Sequence, residues 1–152
     1  MGGALLQAWL AQPAPPAITV ADPAASVPVH AAVRHVHALA DMAPGTRFDT
    51  LVLAVKPQMF ADVLPACQPF LQKDTLVVSI AAGVPVARIR ALLNLESAHP
   101  IVRAMPNLPA SMGQGMTGLF GENLEESHRG RADALFTAAG KTLWVAPEER
   151  LD

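Results

Sequence analysis

The sequence predicts a doubly wound α/β fold, in which a mostly parallel β-sheet carries helices on both faces. Three apolar segments predict parallel strands, and each stops abruptly at small, polar or proline residues. Helical stretches separate these segments at the spacing of repeated βαβ units. The segments end within residues 51–57, 79–84 and 103–109. Ligands of such sheets bind along the edge where the parallel strands end, so these three ends predict the functional edge.

The composition limits the class of protein. Of the 152 residues, 51% are hydrophobic and 16% are charged, which is enough apolar material for one folded domain. A net charge of −2 provides no basic surface for nucleic acid. The single cysteine, Cys67, excludes an intrachain disulfide and fits a reducing compartment. No segment approaches the ~20 uninterrupted apolar residues of a membrane span. We therefore expect a cytoplasmic protein that binds neither nucleic acid nor membranes.

The first third of the chain predicts a helix, a strand and a weaker helix. Residues 3–10 are rich in Ala and Leu, and Pro13 ends this helix because proline cannot continue the hydrogen-bond ladder. The β-branched residues 18–20 predict a short strand that ends at Asp22. Residues 29–39 are weakly helical.

The middle third predicts two strands around a kinked helix. Residues 49–55 are almost continuously apolar after Thr50, as in a strand buried on both faces. Residues 58–71 have helical spacing, but two prolines predict a kink or two pieces. Residues 75–80 predict the next strand.

The last third begins with a helix over 86–93, a strand over 100–104 and an irregular strand over 111–121, which contains four glycines. The helix over 124–139 has Asn123 as its expected N-cap and Gly140 at its end. A short strand over 143–145 follows.

Two features near the start of the chain point to a dinucleotide. Gly2 and Gly3 open a helix whose free N–H groups are suited to a pyrophosphate, because a β-carbon would hold the backbone away from the phosphates. Asp22 lies twenty residues after Gly2 (22 − 2). An acid there accepts hydrogen bonds from the adenosine ribose and repels a 2′-phosphate, which favours NADH.

The motifs in their order and spacing resemble pyrroline-5-carboxylate reductase, the enzyme of the last step of proline synthesis. The matching segments cover most of the chain: Met1-Gly2-Gly3-Ala4-Leu5, Leu53-Ala54-Val55-Lys56-Pro57-Gln58, Ser79-Ile80-Ala81-Ala82-Gly83-Val84, Arg103-Ala104-Met105-Pro106-Asn107-Leu108-Pro109 and residues 113–121.

The resemblance implies a Rossmann-like cofactor domain over residues 1–147 that is incomplete at its N-terminus. In the family this domain begins with a strand and a Gly-x-Gly-x-x-Gly turn, and Gly2 matches the last of those glycines. An all-helical domain that forms the dimer and most of the substrate pocket follows it. Residues 148–152 would be the start of this helical domain. The expected absence of the first strand would leave two unpaired strand edges within the sheet.

The function that the resemblance implies is hydride transfer from NADPH or NADH to 1-pyrroline-5-carboxylate, which gives L-proline. The helical domain would grip the substrate and form the homo-oligomer, so this chain alone is expected to have little or no turnover. We find no residue to name as a general acid. The implied cofactor-binding residues are Gly2, Asp22, Ala54, Val55, Lys56, Pro57, Ala81, Ala82, Gly83, Met105, Pro106 and Asn107.

Each of these assignments has a structural alternative, and two other functions stay open. The alternatives are a flexible chain start for Gly2, a turn for Asp22, a solvated lysine for Lys56, a tight connection for residues 81–83 and an Asx turn for Asn107. The other functions are a non-catalytic nucleotide-binding fragment and a related reductase of imines or ketones.

Three further groups of residues predict no chemistry. The spacing of His30, His35 and His37 matches no metal framework, so no metal site is expected. Cys67 has no basic neighbour in the sequence that would activate it as a nucleophile. Arg103 is interpreted as structural, but the sequence does not identify the acid that pairs with it.

Overall fold

Seven strands and four α-helices lie within the part of the chain that the computed structural model describes, residues 1–24, 27–107, 109–110 and 113–151. None of these described helices is long and apolar enough to cross a membrane. The helices are α1 (Gly2–Leu10), α2 (Phe60–Cys67), α3 (Val86–Leu92) and α4 (Glu126–Thr137). The strands are β1 (Ile18–Ala21), β2 (Val33–Val36), β3 (Thr50–Leu53), β4 (Leu76–Ser79), β5 (Ile101–Pro106), β6 (Gly115–Glu122) and β7 (Gly140–Trp144).

The strands form two sheets. β1 and β2 pair in parallel, and the larger sheet has the order β3-β4-β5-β6-β7. Every neighbouring pair of the larger sheet is parallel except β5 and β6. The register places Leu53, Ser79 and Arg103 side by side across β3, β4 and β5. Among the described strands, β1 pairs only with β2, and β3 pairs only with β4, so each has one side without a strand partner.

Helices cover both faces of the larger sheet, and alternate residues of each strand reach opposite faces. Leu76 and Val78 pack with α1 and α4, whereas Val77 between them packs with α2 and α3. The expected doubly wound, mostly parallel fold is therefore confirmed.

One predicted element was wrong. The weakly helical stretch over residues 29–39 contains β2, and only the 3-10 turn over Leu39–Asp41 is helical. Val33 and Val36 lie at the two ends of β2, and every residue of β2 pairs with β1. Pairing with a neighbouring strand therefore overrides a weak local preference.

The cap of α4 also differs from the prediction. Glu125 is the N-cap, and it takes part in a capping box with His128. Asn123 instead adopts a positive φ of 56° and donates its amide Nδ2–H to the Ser97 carbonyl. Asparagine tolerates this left-handed conformation better than most residues, so its role here is to turn the chain before the helix begins.

The C-terminal boundary of α4 is Ala138 rather than Gly140. Gly140 opens β7 with a φ of +146°, and a β-carbon there would lie 2.1 Å from the Gly115 carbonyl oxygen. This glycine is therefore needed for the close approach of two strands rather than for a helix cap.

Candidate functional site

The ends of three neighbouring parallel strands bring three of the predicted loops to one edge of the larger sheet. β3 ends at Leu53, β4 at Ser79, and β5 continues to Pro106. Hydrogen-bonded strands lie about 4.8 Å apart. The loops over 54–57 and 81–83 and the strand end over 105–107 are therefore neighbours, as the sequence predicted. We call them the carboxyl edge.

The N-terminus of α1 meets the carboxyl edge at the end of β3. A β-carbon added at Gly2 would lie 3.0 Å from the Ala54 Cβ, so only glycine fits there without displacement. No side chain caps the first turn of α1. The N–H groups of Gly2 and Gly3 are therefore available to an anion, whereas the Ala4 N–H donates to the Met1 carbonyl at 3.0 Å. Ala54 and Lys56 are exposed, Val55 is half-buried, and Pro57 starts a 3-10 turn.

The loop after β4 is a ledge of small residues. Ala81 is buried, while Ala82 and Gly83 are exposed. Gly83 has a φ of +68°, which favours glycine, and the Ala81 N–H donates to the Ser79 Oγ at 3.3 Å. The loop is thus both a tight connection and an open surface on which a flat ring can lie.

Asn107 holds the carboxyl edge to β6. Its Oδ1 accepts the Met116 backbone N–H at 3.0 Å, and its carbonyl accepts the Ala110 N–H at 3.1 Å. The described residues offer no hydrogen-bond acceptor to its Nδ2 group. The side chain therefore connects the end of β5 to the start of β6, and an amide can also donate hydrogen bonds through its Nδ2 group. Met105 and Pro106 are half-buried beside it.

Asp22 lies apart from the three loops, at the end of β1 in the two-stranded sheet. Its Oδ1 accepts the Ala24 N–H at 2.8 Å, and its carbonyl lies 2.8 Å from the His35 Nε2. The predicted turn is therefore present. This turn does not use the second carboxylate oxygen, Oδ2. The His35 ring packs against His37 at 4.7 Å.

One acid that pairs with Arg103 is Glu148. Arg103 NH1 donates to Glu148 Oε1 at 3.0 Å, and the same oxygen accepts the Val86 N–H at 2.8 Å. The two residues of the ion pair lie 45 positions apart. No spacing rule connects such distant positions, so sequence reasoning missed Glu148. In the sequence it is marked only as the first of the charged residues that follow the predicted boundary at 147/148, and that boundary stays a prediction.

Cys67 is buried at the end of α2, where its Sγ contacts the Val63 carbonyl oxygen at 3.6 Å. Burial raises the pKa of the Cys67 thiol to about 11. The thiol is therefore protonated at neutral pH, and this side chain packs as a small apolar group.

Residues 1–83 of this chain match the family described as "NADP oxidoreductase coenzyme F420-dependent". The chain belongs to this family. The match includes Gly2, Asp22 and the first two loops of the carboxyl edge. The family description names NADP, and the predicted nicotinamide dinucleotide cofactor is therefore confirmed.

Curated relatives of the chain are pyrroline-5-carboxylate reductases. The enzyme of Haemophilus influenzae is 43% identical over 104 residues, which cover 68% of this chain and 38% of the relative. The enzyme of Pseudomonas aeruginosa is 40% identical over 105 residues, with the same two coverages. The chain therefore spans about two fifths of the length of these relatives. The resemblance stated from the motifs is confirmed.

Solved structures agree with this family relationship. A pyrroline-5-carboxylate reductase from Coxiella burnetii has a TM-score of 0.69 and 34% identity, covering 78% of this chain and 43% of its own. The Plasmodium falciparum pyrroline carboxylate reductase, solved with NADP bound, has a TM-score of 0.74 over 97% of this chain and 53% of its own. At 19% identity, the second likeness supports the fold alone.

Proposed function

We propose that this chain forms the cofactor side of a pyrroline-5-carboxylate reductase. The reaction is hydride transfer from NADPH or NADH to the C=N carbon of 1-pyrroline-5-carboxylate, which gives L-proline. The observation that carries the proposal is the alignment of the loops over 54–57 and 81–83 and the strand end over 105–107 at neighbouring strand ends. The 43% identity to a reductase of this activity supports it.

The bound cofactor supplies the hydride, and the protein positions the cofactor. The first turn of α1, opened by Gly2, accepts the pyrophosphate, and Lys56 adds positive charge beside it. Residues 81–83 support the nicotinamide ring from one side. Asn107 donates its Nδ2–H groups to the carboxamide of the nicotinamide or to the substrate. The remaining contacts come from Ala54, Val55, Pro57, Met105 and Pro106.

A pair of matched substitutions tests whether the carboxyl edge holds the cofactor. Ala82 and Ala87 are both exposed, the first in the ledge and the second on α3. Titration with NADPH and NADH, followed by calorimetry, gives the Kd of each variant. We expect Ala82→Glu to weaken binding at least tenfold, because it fills the ledge and adds a negative charge. Ala87→Glu should bind like the native chain. Equal Kd values for both variants would argue against this site.

A chimera tests the reaction itself. The segment of the Haemophilus influenzae enzyme that matches this chain is exchanged for the corresponding residues of this chain. We expect the chimera to oxidise NADPH in the presence of 1-pyrroline-5-carboxylate and to form proline. A chimera that folds and binds NADPH, yet forms no proline, would contradict the proposed substrate.

The proposed setting of the protein follows from the same resemblance. We expect 1-pyrroline-5-carboxylate as the small-molecule partner, the cytoplasm as the compartment and a homo-oligomer built through the helical domain of the complete protein. The single cysteine agrees with a reducing compartment. Residues 1–147 would be the cofactor domain, and 148–152 would begin the helical one. Light scattering on the complete protein would measure the oligomer.

A further inference from the structure

The ion pair between Arg103 and Glu148 is unusual in its burial. The Arg103 side chain is only 2% exposed, and the Glu148 side chain is 19% exposed. Arg103 lies in the middle of β5, between Ser79 of β4 and Phe120 of β6. Removing a guanidinium from water is costly unless the charge is paired. The pair therefore fixes the Glu148 carboxylate at a defined place over the sheet.

The fixed carboxylate has a second partner. Glu148 Oε1 accepts the backbone N–H of Val86, the first residue of α3, at 2.8 Å. The preceding residue, Pro85, has no side-chain donor or acceptor, so α3 has no cap of its own. The first N–H groups of a helix lack partners within the helix, and a carboxylate is a favourable acceptor there. Glu148 thus caps α3 from 62 residues away.

The loop that precedes α3 is the ledge of the carboxyl edge. It is held at its first end by the bond from the Ala81 N–H to Ser79 Oγ. It is held at its other end by the bond from Val86 to Glu148. Between these two anchors lie Ala82 and Gly83, which are exposed. The position of α3 therefore determines the position of the ledge.

We propose that Glu148 is a positioning residue for the cofactor. Its carboxylate, oriented by Arg103, clamps the start of α3 and so fixes the position of the ledge over 81–83, which would support the nicotinamide ring. The inference rests on the proposed function, because that function assigns the ledge to the cofactor. It assigns Glu148 a role in binding that involves no contact with the cofactor.

Two substitutions of Glu148 distinguish loss of the hydrogen bond to Val86 from loss of the negative charge. Glu148→Ala removes the acceptor of the Val86 N–H, and we expect a Kd for NADPH at least tenfold higher. Glu148→Gln keeps an oxygen that can accept from both Val86 and Arg103, so its Kd should stay within threefold of the native value. A native Kd in Glu148→Ala would overturn the proposal.

A control variant separates positioning from a general loss of stability. Asp133 of α4 accepts hydrogen bonds from Thr142 and Trp144 of β7, and none of its hydrogen bonds to described residues reaches the three loops. Asp133→Ala should lower the melting temperature but leave the Kd for NADPH within twofold, measured well below the melting range. An equal loss of affinity in Asp133→Ala and Glu148→Ala would show that affinity follows stability, which would overturn the proposal.

A double variant covers the case in which Glu148→Ala does not fold. Replacing both residues by methionine (Arg103→Met with Glu148→Met) removes the acceptor of the Val86 N–H. It also removes the buried positive charge that Glu148→Ala would leave without Glu148. Exchanging buried ion pairs for apolar residues of similar volume is often tolerated. We expect this variant to fold and to bind NADPH at least tenfold more weakly. Native affinity in this folded variant would overturn the proposal.

Amide hydrogen exchange distinguishes failure of the clamp from failure of the proposed function. Loss of the clamp should accelerate exchange at least tenfold at Val86 and at residues 81–83 in Glu148→Ala, with no cofactor present. If the native chain bound neither NADPH nor NADH, the proposed function would fail. The exchange rates at Val86 and residues 81–83 would then be the test of whether Glu148 holds the start of α3. Unchanged exchange at these amides would overturn the proposed role of Glu148.

Discussion

The two edges of the larger sheet differ in how their polar groups are used. At the amino edge, where β3, β4 and β5 begin, side chains from α4 reach the preceding turns. Arg131 donates to the Asp49 carbonyl and to both the carbonyl and the carboxylate of Asp74, and His128 contacts the Asp74 carboxylate at 2.7 Å. These bonds connect α4 to the starts of β3 and β4.

The carboxyl edge carries few such connections. Its loops present small or exposed residues, and side-chain bonds reach it chiefly at Ser79, Asn107 and Glu148. Under the proposed function, the comparison teaches that stability and cofactor binding depend on opposite ends of the same strands. Substitutions at the amino edge should change the free energy of unfolding, and those at the carboxyl edge should change the affinity for cofactor.

The largest effect is expected at the amino edge. His128 is buried, bonds Asp74 and caps the Glu125 N–H. His128→Ala should lower the free energy of unfolding by about 1–3 kcal/mol, because it removes partners from polar groups. The affinity of the folded fraction for NADPH should not change. Urea unfolding and calorimetry measure the two quantities. His30→Ala, at an exposed position, is the control and should stay within about 0.5 kcal/mol.

The next effect is expected at the start of α1, on the carboxyl edge. Gly2→Val places a side chain against Ala54 and blocks the approach of phosphates, so the affinity for NADPH should fall about tenfold, or about 1.4 kcal/mol. Gly130, exposed on α4, has no atom within 4 Å of an added β-carbon, and Gly130→Val is the matched control. Similar affinities for the two variants would remove Gly2 from the site.

A smaller effect is expected at Asp22. Asp22→Asn keeps an oxygen for the Ala24 N–H and removes the negative charge that repels a 2′-phosphate. We expect the native chain to prefer NADH, and the substitution to shift the ratio of the two Kd values about fivefold toward NADPH, roughly 1 kcal/mol. Thermal stability should be unchanged. An unaltered ratio would leave Asp22 as a turn residue only.

The smallest effect is a pH dependence at the amino edge. His99 is buried before β5, and its Nε2 has no hydrogen-bond partner among the described residues. Burial lowers the pKa of His99 below its ordinary value of 6.5, and the charges of Arg90 and His128 lower it further, against the opposing effects of Thr75 and Glu96. Below pH 6.5 the unfolded chain therefore binds more protons at this residue than the folded chain.

The resulting prediction is a loss of stability on acidification. The contribution of His99 to the free energy of unfolding is complete well above pH 6.5 and declines as the pH falls below it. His99→Leu should flatten this part of the profile, measured by urea unfolding between pH 7.5 and pH 5 at roughly half-unit intervals. His30→Leu, at an exposed position, should retain the native slope. An identical slope in the His99 variant would remove this residue as the cause.

The effect of acid on Asp74 falls in a different range. The hydrogen bond from His128 holds the pKa of the Asp74 carboxyl below its ordinary value of 3.8, and Arg131 lowers it further. The stabilising contribution of this carboxylate is therefore present above that value and is lost as the pH falls from about 3.8 through the lowered pKa. The His99 measurement stops at a higher pH, so Asp74 contributes little to its slope.

The sequence by itself determined the three strands whose ends form the carboxyl edge. Continuous apolar runs followed by small or proline residues are local signals, and the strands β3, β4 and β5 lie where these runs predicted them. The same local signals predicted α1 and α4 within a few residues at each end. The family resemblance rested on these same segments.

Only the tertiary structure decided the rest. β2 became a strand because β1 offered it a pairing partner, and the partners of Arg103 and His128 lie 45 and 54 positions away. The partner of a buried charge is the opposite charge that the folded chain places next to it. Local sequence patterns cover only a few neighbouring positions, so they do not identify that partner. For this reason the sequence could place the ledge at residues 81–83, but not Glu148, which holds it in place.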